Sequence, residues 1–261
     1  MRVFITGASS GIGEALARHY AAMGATLGLA ARRQRRLFDL VAELPAKLPA
    51  KLPDSHACYA VDVADAAALQ TVAADFIARY GCPDIVIANA GISVGTLTEE
   101  SEDIPVFRRV IETNVLGVMH TFAPFIDAMR TRGSGRLVGI ASVAGIRGLP
   151  GAGAYSASKA ATIAYLESLR VELHGSGVRV MTIAPGFIAT PMTAKNPYAM
   201  PFLLPADEAA RRFARAIARG TGYTVIPWQM GLVAKVLRLL PDAAYDRLFF
   251  RAGRKPRGLD L

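Results

Sequence analysis

A doubly wound α/β fold, with a seven-stranded parallel sheet and helices on both faces, is predicted by three observations in the sequence. A glycine-rich turn, Thr6-Gly7-Ala8-Ser9-Ser10-Gly11-Ile12-Gly13, joins an apolar run at 3–5 to a helix-like run at 14–23. Apolar runs of strand length then alternate with helix-length segments, the mark of repeated βα units. Those runs are apolar almost without interruption, as strands buried on both faces are, so the sheet is parallel and covered. A closed α/β barrel is the alternative, and the glycine turn after the first strand favours the open sheet.

The first strand runs into the turn, where Gly7 permits the reversal, Gly11 lets backbone N–H groups approach a phosphate, and Gly13 lets the helix lie close on its strand. The spacing is not G-x-G-x-x-G, and no Gly-Lys-Ser/Thr follows as in a Walker A loop, so the turn alone leaves a plain surface turn open. A second strand at 26–30 leads to a helix that ends in the insert 44–53. That insert repeats Leu-Pro-Ala-Lys and reads as an exposed, semi-extended loop without function. Strands at 57–61, 85–88, 137–141, 178–183 and 223–226 follow, with helices at 66–80, 106–130, 154–174 and 207–219. No Pro/Gly/Ser linker divides the chain. Residues 1–226 are expected to hold the whole sheet, and 227–261 to form a helical extension with a basic tail in the same domain.

With 261 residues, 52% of them hydrophobic, the chain can build one large core. No run approaches the ~18 consecutive apolar residues of a membrane-spanning helix, and no signal-peptide pattern precedes the first strand, so a cytoplasmic location is expected. Cys58 and Cys82 lack metal-ligand spacing and disulfide density. Both read as buried thiols in a reducing compartment, and no metal is expected. Much of the net charge of +9 sits in Arg32, Arg33, Arg35 and Arg36, and in Arg251, Arg254, Lys255 and Arg257. No nucleic-acid motif accompanies these clusters and no aromatic residues interleave with the first, so no nucleic-acid partner is expected.

The second strand ends Leu29-Ala30-Ala31-Arg32-Arg33. In a dinucleotide fold an acidic residue about 20 positions after the glycine turn bonds the ribose hydroxyls, whereas Arg accommodates a 2′-phosphate. The first carboxylate here is Asp39, so Arg32, with Arg33 beside it, points to NADP rather than NAD. Chemistry is expected in the middle third, where Tyr155 and Lys159 stand one helical turn apart on one face. Unit charges ~4 Å apart interact by roughly 4 kcal/mol at an effective dielectric near 20, enough to bring a phenol toward neutrality. Ser142 follows the strand 137–141 at its carboxyl end, where ligands bind in open α/β sheets.

With these residues in place the sequence resembles the short-chain dehydrogenase/reductase family, single-domain and NADP-preferring, over residues 1 to about 226. The resemblance is carried by Thr6-Gly-x3-Gly11-x-Gly13, Asp62-Val63, Asn89-Ala90-Gly91, Asn114, Ser142, Tyr155-x3-Lys159, and Pro185-Gly186 with Thr190. It implies a Rossmann-like fold and an oligomer, a homodimer or homotetramer. It also implies catalytic roles. Tyr155 is the general acid/base, Ser142 orients the substrate oxygen, Lys159 lowers the phenol pKa and holds the nicotinamide ribose, and Asn114 keeps a water in a proton relay. Cofactor contacts are implied for Gly7, Ser9, Ser10, Gly11, Ile12, Gly13, Arg32, Arg33, Asp62, Val63, Asn89, Ala90, Gly91, Tyr155, Lys159, Pro185, Gly186, Ile188 and Thr190. Among these, Asp62 either contacts adenine or caps the helix beginning near 64, Asn114 either serves the relay or is a buried polar residue satisfied by backbone, and Thr190 either contacts the carboxamide or is a loop hydroxyl. Ala88 departs from the family, which usually has a second Asn before Asn89.

The activity implied is carbonyl–alcohol interconversion with NADP(H). A non-catalytic NADP-sensing or scaffold role is the alternative; a lyase or epimerase is disfavoured because the C-terminal extension is short. The segment 187–204, rich in Met, Pro and apolar residues, suggests an adaptable apolar substrate pocket. In the extension, apolar residues at 228, 232, 233, 236, 237 and 240 form one helical stripe. It is expected to pack on the substrate loop or a second subunit, with peripheral contact to an anionic inner membrane face as the alternative.

Overall fold

The computed structural model describes residues 1–45 and 56–258, so most of the Leu-Pro-Ala-Lys insert lies outside the described residues. Strands β1 (Arg2–Thr6), β2 (Thr26–Ala31), β3 (His56–Ala60), β4 (Ile85–Ala88), β5 (Gly135–Ile140) and β6 (Val178–Pro185) belong to one sheet. A short pair, β7 (Ile188–Ala189) and β8 (Leu204–Pro205), stands apart from it. β9 (Tyr223–Ile226) completes the large sheet, seven parallel strands in the order β3-β2-β1-β4-β5-β6-β9. The order reverses between β1 and β4, and in open α/β sheets that switch point opens the ligand crevice.

Both faces of the sheet are buried, and β1 shows how. Val3 and Ile5 point into one core with Leu16, Leu29 and Phe213, while Phe4 between them points into the other with Phe76, Phe122 and Leu166. Side chains alternate with period two, so a strand covered on both sides reads as an unbroken apolar run. Helices α1 (Gly11–Ala22), α2 (Gln34–Glu43), α3 (Ala66–Tyr80), α5 (Gly117–Arg132), α6 (Gly153–Glu172) and α7 (Ala206–Arg219) supply the two covers, while α4 (Asp103–Ile111) packs on α6 in a smaller cluster with Val94. On α7, Ala210, Phe213, Ala214 and Ile217 form one buried stripe that packs on α1.

The helix expected over 106–130 is interrupted. Between α4 and α5 the residues Glu112–Leu116 form a π-helical turn, and Asn114 sits within it, fully buried. The wider turn lets Asn114 aim its amide at the Ile92 backbone, which periodicity cannot reveal. Cys58 and Cys82 are half-buried rather than buried. Burial raises both thiol pKa values, Cys82 against the opposing charge of Arg132.

Beyond β9 lie α8 (Trp228–Leu239) and α9 (Asp242–Phe249). Met230 and Ala234 bury the inner side of α8. Of the expected stripe, Trp228 (70% exposed), Leu232 (58%) and Val236 (52%) face outward, while Val233, Leu237 and Leu240 are half-buried. The extension is held from the loop after β5, where Arg147 donates to the carbonyl oxygens of Leu237 and Leu240 and stacks 3.9 Å over the Tyr245 ring.

Gly13, in the first turn of α1, sits tightly against the glycine-rich turn. A Cβ there would stand 2.3 Å from the Gly7 carbonyl oxygen and 2.6 Å from Asn89 Nδ2. Gly13 thus seats the helix on the turn itself as well as beside the strand. Gly13→Ala is expected to destabilise the fold by about 1–3 kcal/mol, as overpacking does, and to weaken cofactor binding. Urea denaturation checks the first, cofactor titration the second.

Candidate active site

The glycine turn is braced from β4. Asn89 Nδ2 donates to the carbonyl oxygens of Thr6 (3.1 Å) and Gly7 (3.2 Å), and the Thr6 hydroxyl accepts from the Asn89 and Ala90 amides. Gly7 has φ +67°, and its missing side chain leaves room for Ala90. Asn89 and Ala90 therefore shape the turn, while Gly91 faces Asn114 and Lys159. The N-terminal end of α1 opens at Ser10 with no side-chain cap, so its first-turn N–H groups lack an intrahelical partner, and Gly11 and Ile12 are part-exposed there. Arg33 reaches over this opening, bonding Ser9 Oγ (3.0 Å) and Ser10 Oγ (2.7 Å). Free amides, a helix N-terminus and a guanidinium together fit a phosphate-bearing cofactor.

Arg32, on the other flank, lies 3.8 Å from Asp62. The Asp62 carboxylate accepts from the Ala64 amide and from Arg109, so it is fixed at the mouth of the crevice. Burial pushes its pKa up, but those bonds outweigh it and hold the carboxyl below its usual range. Asp62 does not cap α3: Asp65 does, accepting from the Ala68 amide. Val63 beside it is buried against Gly117.

Ser142, Tyr155, Lys159 and Asn114 converge at the carboxyl end of β5. Ser142 is in extended conformation (φ −169°) and its Oγ accepts from the Ala144 amide. The Tyr155 phenol is raised above its ordinary pKa by burial, Ser142 opposing through a hydrogen bond to it and Tyr198 adding to the rise. Lys159 Nζ donates to the Ile140 carbonyl (2.8 Å) and lies 5.8 Å from the Tyr155 ring. Burial lowers its pKa to about 8. The expected depression of the phenol by Lys159 is thus not seen: burial raises the phenol against the Ser142 hydrogen bond, and burial makes the ammonium the destabilised charge.

Asn114 takes part in a connected network. Its Oδ1 accepts from the Ile92 amide, and its Nδ2 donates to the Ile92 carbonyl and to Ser158 Oγ, which in turn donates to the Tyr155 carbonyl. The Asn114 carbonyl accepts from Thr162. On the far side, Pro185 ends β6, the Gly186 amide bonds the Ile226 carbonyl, and Ile188 is buried. The loop that follows is tied by Thr193, whose Oγ1 donates to the Ile188 carbonyl and accepts from the Thr190 amide.

Arg109, Ser158, Thr193 and Asp65 were not singled out by sequence, since each acts through a partner distant in the chain or a turn geometry. Among the described residues no three His, Cys, Asp or Glu side chains are grouped to hold a metal.

The switch-point crevice, with its phosphate-ready turn on one side and a buried hydroxyl, a half-buried phenol and a buried ammonium on the other, defines the class: a nucleotide-binding oxidoreductase on a Rossmann-like fold. The chain belongs to the short-chain dehydrogenase family, whose model, described as "short chain dehydrogenase", matches residues 1–200. It is 39% identical over 242 residues to an uncharacterized oxidoreductase of Myxococcus xanthus (strain DK1622), covering 93% of each chain. Its structure is similar to an alcohol dehydrogenase of the archaeon Thermococcus sibiricus complexed with 5-hydroxy-NADP (TM-score 0.75, 29% identity, 86% of this chain and 95% of that one). It is also similar to a short-chain dehydrogenase/reductase of Burkholderia phymatum in complex with NAD (TM-score 0.81, 25% identity, 99% and 98%).

Proposed function

We propose that the protein is an NADP(H)-dependent oxidoreductase that interconverts a carbonyl and an alcohol on an apolar substrate. The observation carrying this reading is the convergence of Ser142, Tyr155 and Lys159 beside the glycine turn, with Asn114 tied to the same helix. NADP(H), when bound, supplies or takes the hydride. Tyr155 gives a proton to, or takes one from, the substrate oxygen, so no full alkoxide charge builds up. Its raised pKa keeps it protonated at neutral pH, ready to act as the acid in carbonyl reduction. Ser142 orients the same oxygen, Lys159 holds the ribose and passes protons, and the buried Asn114 fixes the relay end of α6. Ile188 and Thr190 bound the carboxamide side, with Pro185 and Gly186 behind them, and Asp62 and Val63 bound adenine.

The NADP preference rests on Arg33 and Arg32 flanking the mouth of the crevice. NADPH is expected to bind about ten- to a hundred-fold more tightly than NADH, the range of a charge-assisted bond of about 1.5–3 kcal/mol. Arg33→Ala should erase most of that ratio; titration of both cofactors on both proteins measures it, and equal affinities in the unaltered protein would contradict the assignment. A non-catalytic NADP-sensing role is disfavoured because every group the chemistry needs is present.

We further infer that α8 and α9 belong to the same domain as the sheet and that the protein acts in the cytoplasm. No helix among the described residues is long and apolar enough to cross a membrane. The outward stripe of α8, continued by Leu248 and Phe250, is read first as the contact of a homodimer or homotetramer. Exposed Lys235, Arg238, Arg247 and Arg251 beside it support a second reading, peripheral contact with an anionic inner membrane face. Light scattering and vesicle flotation, each with Trp228→Glu, separate the two.

A further inference from the structure

The basic tail folds back onto the active site. Residues 252–258 lie across the loops that follow β4 and β5, and three contacts hold them. The Gly95 amide donates to the Pro256 carbonyl at 2.8 Å. Arg257 Nε donates to Asp103 Oδ2 at 2.8 Å and pairs with Glu100, so the buried carboxylate of Asp103 finds its counter-ion in the tail. Gly253 abuts the Tyr198 side chain. Gly95 is itself matched to the strap, because a Cβ there would stand 2.2 Å from the Lys255 carbonyl oxygen. The strap is therefore seated at both ends, and Lys255 is carried between them.

Lys255 is the one strap residue that faces the chemistry. Its Nζ donates to Ser93 Oγ at 2.6 Å and lies 5.7 Å from the centre of the Tyr155 ring, as near as the catalytic lysine on the helix. The side chain is half-buried, and no carboxylate among the described residues forms an ion pair with it. A cation taken from water with only a neutral hydroxyl for company is costly, and burial lowers its pKa to about 8. Of the other two strap cations, Arg257 has two carboxylates and Arg254 is exposed to water. Lys255 is thus a half-buried ammonium without a carboxylate among the described residues, placed, like Lys159, beside the acid/base phenol.

We propose that Lys255 and Ser93 form an anion subsite for the substrate itself, so that the preferred carbonyl compounds carry a carboxylate a few bonds from the reacting carbon. The proposal rests on Tyr155 being the acid/base of the proposed function and adds the substrate's charge to it. The apolar segment 187–204 then meets the rest of the molecule, and the strap supplies the polar end. The substrate carboxylate supplies the counter-ion that none of the described residues gives Lys255, which orients the carbonyl toward Tyr155 and Ser142.

The test compares straight-chain 4-oxo acids with their methyl esters, using protein saturated with its preferred cofactor, for the unaltered enzyme, Lys255→Met and Lys255→Arg. The unaltered enzyme should favour acid over ester in kcat/KM by ten-fold or more. In Lys255→Met that ratio should fall toward one through a rise in KM for the acids, and Lys255→Arg should restore most of it. Acid and ester losing equally in Lys255→Met would make the lysine a strap anchor only and overturn the proposal, as would a ratio that does not change. A second readout does not depend on turnover: benzoate titrated by NMR into the cofactor complex should bind the unaltered protein at least ten-fold more tightly than Lys255→Met. Equal benzoate affinity overturns the anion subsite even if carbonyl reduction is confirmed, whereas Lys255-dependent binding without any reduction of either series upholds the subsite and counts against the proposed activity.

Discussion

Tyr155→Phe is expected to lower kcat by about 10²–10⁴-fold, the usual worth of a positioned general acid, while leaving cofactor affinity nearly unchanged. The reasoning is geometric. The phenol is the group that both burial and the Ser142 hydroxyl act on, whereas the ring fills space between Lys159 and Lys255 that phenylalanine fills equally. Loss confined to turnover marks a residue acting on the substrate oxygen in the transition state rather than on binding. Single-turnover kinetics with reduced cofactor and cofactor titration measure the two quantities. A Tyr155→Phe enzyme that keeps most of its kcat contradicts the assigned role.

Lys159→Met should impair both turnover and cofactor binding, and it should also change how stability depends on pH. Lys159 is buried with its pKa lowered to about 8, while the unfolded chain holds the proton until about 10.4. Below pH 8 the folded state must accommodate a buried ammonium. Between pH 8 and 10.4 the unfolded state binds more protons than the folded state, so this residue makes stability rise with pH across that window. Lys159→Met removes the contribution. The difference in unfolding free energy between the two proteins should therefore shift by about 1–2 kcal/mol from pH 7.5 to 9.5, in favour of the unaltered protein at the higher pH. Taking the difference cancels the opposing titrations of Cys58 and Cys82, whose raised pKa values act in the other direction. Activity should respond oppositely: reduction falls as pH rises through about 8 and the ammonium loses its proton. A flat stability difference with an unaltered activity profile contradicts a buried, titrating Lys159.

The sheet was legible in the sequence because its signal is local. Strands covered on both faces, such as β4, are apolar throughout, so β4 was predicted to the residue, as was the edge strand β9, and the other strands to within one or two. The glycine turn was equally legible, since it depends on glycines a few positions apart. Less was legible where a residue answers to a distant partner. Asn114 was expected in the interior of one long helix, but its amide is claimed by the Ile92 backbone, and the helix widens to allow it. The stripe on α8 was read from its period alone, which says that one side is apolar and not whether the chain covers it. Trp228, Leu232 and Val236 remain outward because the shorter Met230 and Ala234 face already meets Gly186 and the sheet edge. Lys255 appeared only as one charge in a basic cluster. Nothing in the linear order places it beside Tyr155, one hundred positions away.

Proton states divide in the same way. Spacing places Tyr155 and Lys159 on one face of α6, but their proton states depend on how much water reaches them. Burial dominates both, raising the phenol and lowering the ammonium.

The central claim is that this chain moves a hydride between a nicotinamide and a carbonyl carbon, with Tyr155 handling the proton. Incubating the protein with NADPH deuterated at the nicotinamide 4-position and a panel of apolar and acidic carbonyl compounds tests it directly, by mass spectrometry of the alcohols. The account predicts one deuterium on the carbinol carbon of at least one product, from one of the two 4-positions only, and its loss in Tyr155→Phe. No deuterated alcohol from any carbonyl with either cofactor, or equal transfer by Tyr155→Phe, would contradict it.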